Sequence, residues 1–418
     1  MTVRFSSIHA ALGVTGTLDY DLVLKAIDDK VAEDERLDWK RELSTDGDET
    51  AKDVAAFANS RGGLLVYGVA EERSTGRAAT AMPVSLAEGE QRRIRAWLST
   101  RINPMVSGVE FLALPQPGSA SQGFLVISVP ESPDAPHGIG KDNTLGFPYR
   151  VGTQTFWMRE FDLDRAYRER FARQASQETR LAELIDHVAD QVDVHSGCWL
   201  VGAAHPSVPV PSTTPAPDRD ATVATLQHAL QLGVNIAPAS NRRAEVIRAL
   251  DNNALNPRVG LRRWVAATQT NRTPEGLSDQ VHIELHHDGS TVLATRLDGW
   301  YRDSIKGKCC VPDYMVTGFA VDLVALVQST AEASGFTGHT LLRVDLLRSD
   351  ESPFALIAPD RHGGNFTQPF WTRDVRRFIP AVTVAPRTDV VDQMRAIARA
   401  IATDVVSQFG YPGQDLQW

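Results

Sequence analysis

The sequence predicts an α+β protein, and three observations lead to that class. Hydrophobic residues make up 42% and charged residues 23% of the chain, as in ordinary globular proteins. Segments with the apolar repeat of a helix occur together with short apolar or alternating segments typical of strands. The length of 418 residues exceeds the roughly 150 residues of one domain, so two or three such domains are expected.

The elements of the N-terminal part follow from apolar spacing and from glycine. A helix is expected at 49–60, because Val54 and Phe57 form an apolar side with neighbouring alanines. Gly62 and Gly63 end it, since glycine adopts the positive φ that a helix terminus needs. The apolar run 64–70 then predicts a buried strand. The other expected elements are a helix at 17–31, a short strand at 37–40, a helix at 86–101, strands at 108–114, 123–129 and 147–152, and a long charged helix at 160–190.

The second half of the chain predicts another α+β region behind a connector. Residues 206–219 are rich in proline, serine and threonine, which is typical of a linker. Helices are expected at 221–233, 241–251, 312–334 and 387–409, and strands at 258–268, 280–287, 290–297, 340–347 and 353–358. The predicted division is a core at 1–175, a connector helix and proline-rich linker at 176–219, and a C-terminal α+β domain of unknown role at 220–418.

Composition and cysteine usage exclude several classes of protein. Collagen, extended disorder and a disulfide scaffold do not fit, because Cys198, Cys309 and Cys310 are odd in number and two of them are adjacent. No run of about 18 apolar residues predicts a membrane span, and the N-terminus lacks the apolar core of a signal peptide. We therefore expect a reduced cytoplasmic protein. The net charge of -9 argues against bulk attraction to nucleic acid, although a local basic face remains compatible with it.

Three segments, taken in order, resemble one protein family. They are Glu33 followed by Asp38-Trp39-Lys40, the run AAFANSRGGLLVYGV at 55–69, and YRVGTQT at 149–155. Together they resemble the Schlafen/AlbA-type DNA-binding domain of bacterial Schlafen-like proteins, which joins an acidic-aromatic-lysine strand, AFAN-x-x-GG and a late R-x-G-[ST]. The likeness covers roughly residues 15–175. It implies a mixed-sheet Schlafen-like core that binds nucleic acid, followed by a second α+β domain.

The resemblance also implies an active site made of three acids. In family members with ribonuclease activity, three carboxylates support metal-assisted cleavage of tRNA or rRNA, and these positions fall on Glu33, Asp38 and Glu71. Asp34 and Glu35 compete with Glu33 for the first position. Mg²⁺ or Mn²⁺ is then the implied cofactor, and a protein that only binds needs none. Relatives also act in anti-phage defence and in regulation.

This sequence departs from the family pattern at two of the three acids. Asp38 stands where glutamate is usual, and Glu71 stands where aspartate is usual. Charge is kept, but the reach of each side chain changes by one methylene. A Mg²⁺ site needs near-octahedral oxygens at about 2.1 Å, so each exchange requires a compensating backbone adjustment.

The spacing of the charged residues sets their geometry. Asp38 and Lys40 share one face of the predicted strand, and Leu37 and Trp39 share the other. Glu33 lies five residues from Asp38 and would point to the opposite face of a regular strand, so the two acids converge only across a bend or bulge. An ionised Asp38 beside Lys40 suits metal-assisted phosphodiester cleavage, with Lys40 on the phosphate. The alternative is a surface salt bridge worth at most about 1 kcal/mol.

Arginine-rich segments are the candidate nucleic-acid contacts, because arginine clusters bind phosphates. One cluster is Arg92, Arg93, Arg95 and Arg101, another is Arg165, Arg168, Arg170 and Arg173, and Arg150 is the strongest single candidate. Tyr149 and Trp157 offer rings on which bases stack. The alternatives are that the charged helices are solvated faces and that the rings pack in a core.

Other chemistries have weaker support. His282 and His286 share a strand face, but no cysteine pair accompanies them, so a zinc site is not expected. The Asn59–Gly63 turn follows a helix, whereas phosphate-binding loops precede one, so an ATPase is not expected on this basis.

Three functional hypotheses follow. The first is a protein that binds RNA or DNA without chemistry. The second is a metal-dependent endoribonuclease that cleaves tRNA-like RNA through Glu33, Asp38 and Glu71. The third is a regulatory or assembly module that acts through a protein partner or as a homo-oligomer.

Overall fold

The chain forms two compact units, Met1–Ala175 (the N-terminal unit) and Ser176–Trp418 (the C-terminal unit). The computed structural model describes residues 6–418 except 15, 73, 142–143, 193, 195–196, 211–213, 238–244, 251–254, 269–279, 298–304, 337, 360–365 and 417. Both units combine helices with sheets, which confirms the predicted α+β class.

The N-terminal unit contains most of the elements expected there. Its helices are α1 (Ser7–Leu12), α2 (Tyr20–Asp28), α3 (Gly47–Ala58), α4 (Glu88–Arg101) and α5 (Glu160–Gln191), the last of which continues into the C-terminal unit. Its strands are β1 (Leu37–Lys40), β2 (Gly63–Tyr67), β3 (Val69–Glu72), β4 (Arg77–Ala81), β5 (Val84–Ser85), β6 (Ile102–Asn103), β7 (Glu110–Pro115), β8 (Gln122–Val129), β9 (Gly138–Lys141), β10 (Thr144–Gly146), β11 (Pro148–Val151) and β12 (Gln154–Trp157).

The central sheet of this unit is covered on both faces. Its strand order is β1-β2-β8-β5, with β7 also paired to β8; β1 and β2 are parallel, and β8 is antiparallel to β2. Since side chains alternate along a strand, Leu37 and Trp39 face the core beneath α1 and α2, whereas Leu65 and Tyr67 face α3 and α4. Burial on both faces explains why the segment at 64–67 is apolar throughout.

Glycines set two boundaries in this unit. Gly62 has a φ of 67°, and a Cβ there would meet the backbone of residues 129–131, which confirms the glycine-dependent end expected after α3. Gly68 has a φ of 103° and separates β2 from β3. The single strand expected at 64–70 is therefore wrong, because the chain turns at Gly68 into a second strand that pairs with β4.

The C-terminal unit is built on a larger antiparallel sheet. Its helices are α6 (Arg219–Ile236), α7 (Asp313–Ser334) and α8 (Val391–Ser407), with short 3₁₀ turns at Ile247–Ala249 and Gly413–Asp415. Its strands are β13 (Trp199–Pro206), β14 (Arg258–Gly260), β15 (Arg263–Ala267), β16 (Val281–His286), β17 (Thr291–Arg296), β18 (Cys309–Pro312), β19 (His339–Leu347), β20 (Phe354–Pro359), β21 (Phe366–Thr367) and β22 (Ala381–Pro386).

Seven of these strands form one sheet in the order β14-β15-β16-β17-β13-β19-β22. Residues of α6, α7 and α8 join one core with this sheet, and the C-terminal half of α5 forms a separate core on β13 and β17. β13 lies inside the stretch that the sequence predicted as connector and linker. The strand expected at 258–268 is instead the hairpin β14–β15, with Arg262 at a φ of 55° in its turn. Of the helix expected at 241–251, residues 241–244 and 251 lie outside the described residues, and the described part contains only the 3₁₀ turn Ile247–Ala249.

The apolar composition of helix α7 is explained by its burial in the core. Among the described residues, it is the helix long and apolar enough to cross a membrane, but 83% of its apolar window is buried inside the protein. A central core helix has the same composition, because it is covered on all sides.

Candidate functional site

Glu33 approaches the strand that carries Asp38 because the chain turns between them. Residues 35 and 36 form the turn, and an isolated bridge pairs Asp34 with Leu37. The backbone N–H of Trp39 donates a hydrogen bond to Glu33 Oε1 at 2.7 Å. The chain therefore supplies the bend that convergence of the two acids requires.

Lys40 joins two buried carboxylates from different elements. Its Nζ lies 2.8 Å from Asp38 Oδ2 and 3.1 Å from Asp53 Oδ2 on α3. Asp38 and Asp53 are only 6% and 5% exposed. Asp38 and Lys40 share a face, as the strand periodicity predicts, but they form a buried cluster rather than a surface salt bridge.

Arg150 belongs to the same cluster. Its guanidinium lies 3.7 Å from Asp38 Oδ1, donates to the backbone oxygen of Asp34 at 3.2 Å, and stacks 4.5 Å above the ring of Phe57. The residue is 4% exposed. In this conformation Arg150 therefore binds the carboxylate cluster and does not reach a phosphate at the surface.

The cluster changes the proton affinity of its members. Burial and the nearby charge of Asp38 raise the pKa of Glu33 to about 8, and Glu71 adds to the rise. Burial opposes the charged form of Lys40, but Asp38 and Asp53 outweigh it and raise the pKa of the ammonium. Burial also raises the pKa of Asp53, although Lys40 partly offsets it. Burial and the neighbouring carboxylates thus favour the protonated form of Glu33, whereas Asp38 and Asp53 favour the charged form of Lys40.

Glu71 is exposed on β3, where the pairing with β4 is interrupted between Ala70 and Glu71. Among the three acids implied by the resemblance, Glu33 interacts electrostatically with both Asp38 and Glu71. Their placement does not suit a divalent ion, however, because the two oxygens of Asp38 face Lys40 and Arg150. Within the described ranges, no group of three or more His, Cys, Asp or Glu side chains is placed to hold a metal ion.

The arginines of α4 differ in how far they are available. Arg92 has a side chain 75% exposed and pairs with Glu88 at 3.0 Å. Arg93 pairs with Glu90 at 2.5 Å, and its guanidinium lies 5.0 Å from the Trp97 ring. Arg95 is also exposed, with its guanidinium 4.0 Å above Phe111, whereas Arg101 is half-buried and pairs with Asp48 at 2.6 Å. Arg92, Arg93 and Arg95 are therefore the exposed members of this cluster.

Exposed aromatic rings lie on the β11–β12 hairpin and the start of α5. We define the aromatic surface as Phe156, Trp157, Phe161 and Phe171, whose exposed fractions are 44%, 50%, 72% and 63%. Phe147 and Tyr167 connect hairpin and helix through ring centroids 6.4 Å apart, and Tyr167 lies 6.5 Å from Phe171. The exposed arginines Arg159, Arg165 and Arg168 are interspersed with these rings. Trp157, for which the sequence left base stacking and core packing open, is half exposed rather than enclosed in a core.

Two residues of the site escaped the sequence reasoning. Asp53 lies on the buried side of α3 beside Val54, and a charged residue on an apolar helix face is the signal that predicts a buried partner. Asn59 caps α3 and binds two other segments: its Nδ2 donates to the backbone oxygens of His137 and Pro148 at 2.9 and 2.7 Å, and its Oδ1 accepts from the His137 N–H at 2.6 Å. The AFAN motif therefore positions the hairpin that carries Arg150.

The histidines of β16 contact a buried carboxylate in the C-terminal unit. His282 and His286 place Nε2 3.1 and 2.8 Å from the oxygens of Glu284, which is 0% exposed. Arg263 Nε lies 3.3 Å from the same group. Burial disfavours the ionised carboxylate, but these partners outweigh it and lower the pKa of Glu284. The two histidines share a face, as predicted, and they stabilise an internal charge.

Residues 33–159, in the N-terminal unit, match the family described as Schlafen, AlbA_2. This match supports a Schlafen-like, nucleic-acid-related protein. No curated protein matches the chain.

Among solved structures, the chain is similar to the DIP2311 protein from Corynebacterium diphtheriae. The sequence identity is 18%, the match covers 55% of this chain and 41% of that chain, and the TM-score is 0.23. The match thus spans less than half of that protein.

Proposed function

We propose that this protein binds single-stranded or structured nucleic acid through its N-terminal unit. The observation that carries the proposal is the aromatic surface interspersed with arginines. Bases stack on exposed aromatic rings with about 1–3 kcal/mol per base, and arginine binds the phosphates between them. The exposed Arg92, Arg93 and Arg95 of α4 add a second basic element. The match of residues 33–159 to a nucleic-acid-related family supports the same function.

The overall charge limits how such binding works. At a net charge of -9, long-range attraction does not gather nucleic acid, so affinity depends on local contacts. Stacking is less sensitive to salt than phosphate pairing. We therefore expect a shallow salt dependence, near the slope of about -0.7 per phosphate contact for only a few contacts on a single strand.

The test is fluorescence anisotropy of labelled tRNA and single-stranded DNA with the full chain and its variants. The double variant Trp157→Ala, Phe161→Ala should bind about tenfold or more weakly, because two stacking rings are lost. The matched control is Trp371→Ala, whose ring is likewise 50% exposed but lies in the C-terminal unit. Equal affinities of native chain, double variant and control, with circular dichroism showing folded proteins, would contradict the proposal.

The electrostatic interaction of Glu33 with both Asp38 and Glu71 favours a second candidate, a metal-dependent endoribonuclease acting on tRNA-like RNA. It ranks second because Lys40 and Arg150 occupy the oxygens of Asp38 in the described arrangement. The test is cleavage of labelled tRNA with Mn²⁺ by the native chain and by Asp38→Asn, Glu71→Gln. Glu183→Gln, with a 60% exposed acid in the C-terminal unit, is the control. If the native chain and the control cleave the RNA and the double variant does not, the result supports the endoribonuclease. If the native chain does not cleave the RNA, the endoribonuclease is ruled out.

The cellular setting is a separate part of the proposal. Cytoplasmic location, anti-phage defence and regulation come from the composition and the family resemblance alone. A binding protein without catalysis needs no cofactor, whereas the endoribonuclease would need Mg²⁺ or Mn²⁺.

A further inference from the structure

The seven-stranded sheet of the C-terminal unit has β22 as one of its two edge strands. No described strand pairs with its outer side, since β19 is its neighbour in the sheet. Its central residues, Ala381 to Ala385, carry no charge, and Val382 and Val384 are 52% and 48% exposed. Natural edge strands usually carry lysine, an inward charge or a bulge against pairing with another chain. β22 has none of these over its five central residues.

The ladder with β19 determines which backbone groups face outward. The N–H of Arg387 donates to the backbone oxygen of Gly338 at 3.1 Å, one step beyond the pair His339 and Pro386 in the same register. Hydrogen-bonded and non-bonded pairs alternate in an antiparallel ladder. Ala381, Thr383 and Ala385 therefore bond to β19. The N–H and C=O groups of Val382 and Val384 face the open edge.

The sequence of this edge is the same in both directions, Ala-Val-Thr-Val-Ala. We infer that a second copy of this chain pairs with β22 in antiparallel orientation, about a two-fold axis at Thr383. Val382 then lies opposite the partner's Val384, and Val384 lies opposite the partner's Val382. Each pair exchanges two hydrogen bonds. The four valine side chains fall on one face, where β-branched cross-strand pairs are favourable.

Prolines fix the register of this pairing. Pro380 and Pro386 bound the five central residues and have no N–H to donate. Only pairing centred on Thr383 sets the prolines of the two copies opposite each other and leaves both valine pairs complete. A shift by two residues would set a proline opposite a valine and leave valine groups unbonded. A two-fold contact of this kind uses the same patch on both copies, so the palindrome favours a second copy over an unrelated strand.

Sedimentation velocity of the full chain across a dilution series tests the dimer. We expect a concentration-dependent species of twice the chain mass. The double variant Val382→Lys, Val384→Lys should raise the dissociation constant about a hundredfold or more, because lysines face each other across the axis. The control Val382→Thr, Val384→Thr keeps β-branched residues and should remain dimeric. A native chain that is monomeric throughout, or a lysine variant that dimerises as the native chain does, overturns the inference.

Disulfide trapping tests the register. Thr383 of each copy would form a non-hydrogen-bonded pair with Cα atoms about 4.5 Å apart, so Thr383→Cys should cross-link under oxidation. The control Val382→Cys should not, because its two copies lie diagonally at about 7–8 Å. If Thr383→Cys fails to fold, Val382→Cys, Val384→Cys provides two opposed pairs and should cross-link. If Val382→Cys cross-links and Thr383→Cys does not, the two copies pair in another register, and the inference is overturned.

Discussion

At the scale of single residues, Lys40 is the centre of the N-terminal site. Its ammonium separates Asp38 and Asp53, which otherwise repel each other in a poorly solvated pocket. Lys40→Met should lower the free energy of unfolding by roughly 2–4 kcal/mol, because removing one partner of a buried pair leaves uncompensated charge. Urea unfolding followed by circular dichroism measures this change.

Lys52 provides the matched control for that substitution. Its Nζ lies 3.7 Å from Asp53, and its side chain is as exposed as that of Lys40, at 32% against 31%. It is not placed between two carboxylates. Lys52→Met should change stability by less than about 1 kcal/mol. Equal losses in the two variants would mean that Lys40 acts through packing of its stem rather than its charge.

Glu33 predicts a pH dependence with a definite sign. Its pKa is raised from 4.5 to about 8, so the folded state holds a proton that the unfolded state has released. Stability should therefore fall as pH rises from about 4.5 to about 8 and level off above that. Glu33→Gln should remove this contribution and be more stable than the native chain above pH 8. The gain should be on the order of 1–2 kcal/mol, because solvent screens part of the effect at this half-buried carboxyl group.

Thermal unfolding across that pH range checks this expectation. Below about pH 4.5 the native chain and the Glu33→Gln variant should have the same stability, because both side chains are then neutral in the folded and unfolded states. Glu35→Gln is the control, since Glu35 makes only a 3.7 Å pair with the exposed Arg61. Parallel pH profiles of native chain and Glu33→Gln would show that folding does not shift the pKa of this carboxyl group.

At the scale of elements, Asn59 links α3 to β11 and to the segment before β9. It makes three hydrogen bonds to backbone groups of those segments. Asn59→Ala should cost roughly 2–3 kcal/mol, at about 1 kcal/mol per lost bond. Asn59→Asp keeps the acceptor but loses both donated bonds, so its loss should be at least as large, because two carbonyl oxygens then face a carboxylate.

A substitution at Ser60 serves as the control that distinguishes the role of Asn59 from general damage to the turn. Its Oγ accepts from the Arg150 N–H at 2.8 Å, which is the closer of its two contacts with Arg150. Ser60→Ala should cost only about 1 kcal/mol. Urea unfolding of the three variants measures the order, and a Ser60→Ala loss as large as that of Asn59→Ala would contradict the linking role of Asn59.

The sequence predicted those elements whose signals are local. The helix containing Val54 and Phe57, the long helix α5 and the core helix α7 follow from apolar spacing, and Gly62 marks a real helix end. The residues of β13 were assigned to the connector and linker because the strands that pair with them, β17 and β19, lie about 90 to 140 residues downstream. Its assignment depends on pairing that no local pattern contains.

The candidate site, too, could be predicted only where the signal is local. The pairing of Asp38 with Lys40 follows from strand alternation, but Asp53 and Arg150 arrive from other elements. The distance of Glu33 from Asp38 along the strand suggested divergence, and a two-residue turn reverses it. Whether three acids bind a metal or a lysine depends on distances that residue spacing does not fix.

At the scale of the whole molecule, two units with separate cores share one chain. The N-terminal cores lie on the two faces of the β1-β2-β8 sheet, and the C-terminal cores lie on the two faces of the seven-stranded sheet. Domains with their own cores unfold as cooperative units. We therefore expect two unfolding transitions in calorimetry, assigned by variants that each destabilise one unit.

Glu284→Gln identifies the transition of the C-terminal unit. It removes the charge that His282, His286 and Arg263 surround, and should cost roughly 2–4 kcal/mol. Its control is Glu183→Gln, an acid with a 60% exposed side chain that pairs with Arg180 at 3.6 Å. Glu284→Gln should lower one transition and Lys40→Met the other. Only the transition lowered by Glu284→Gln should rise with protein concentration, because β22 pairing belongs to that unit. A single transition shifted by both variants would show that the two cores unfold together.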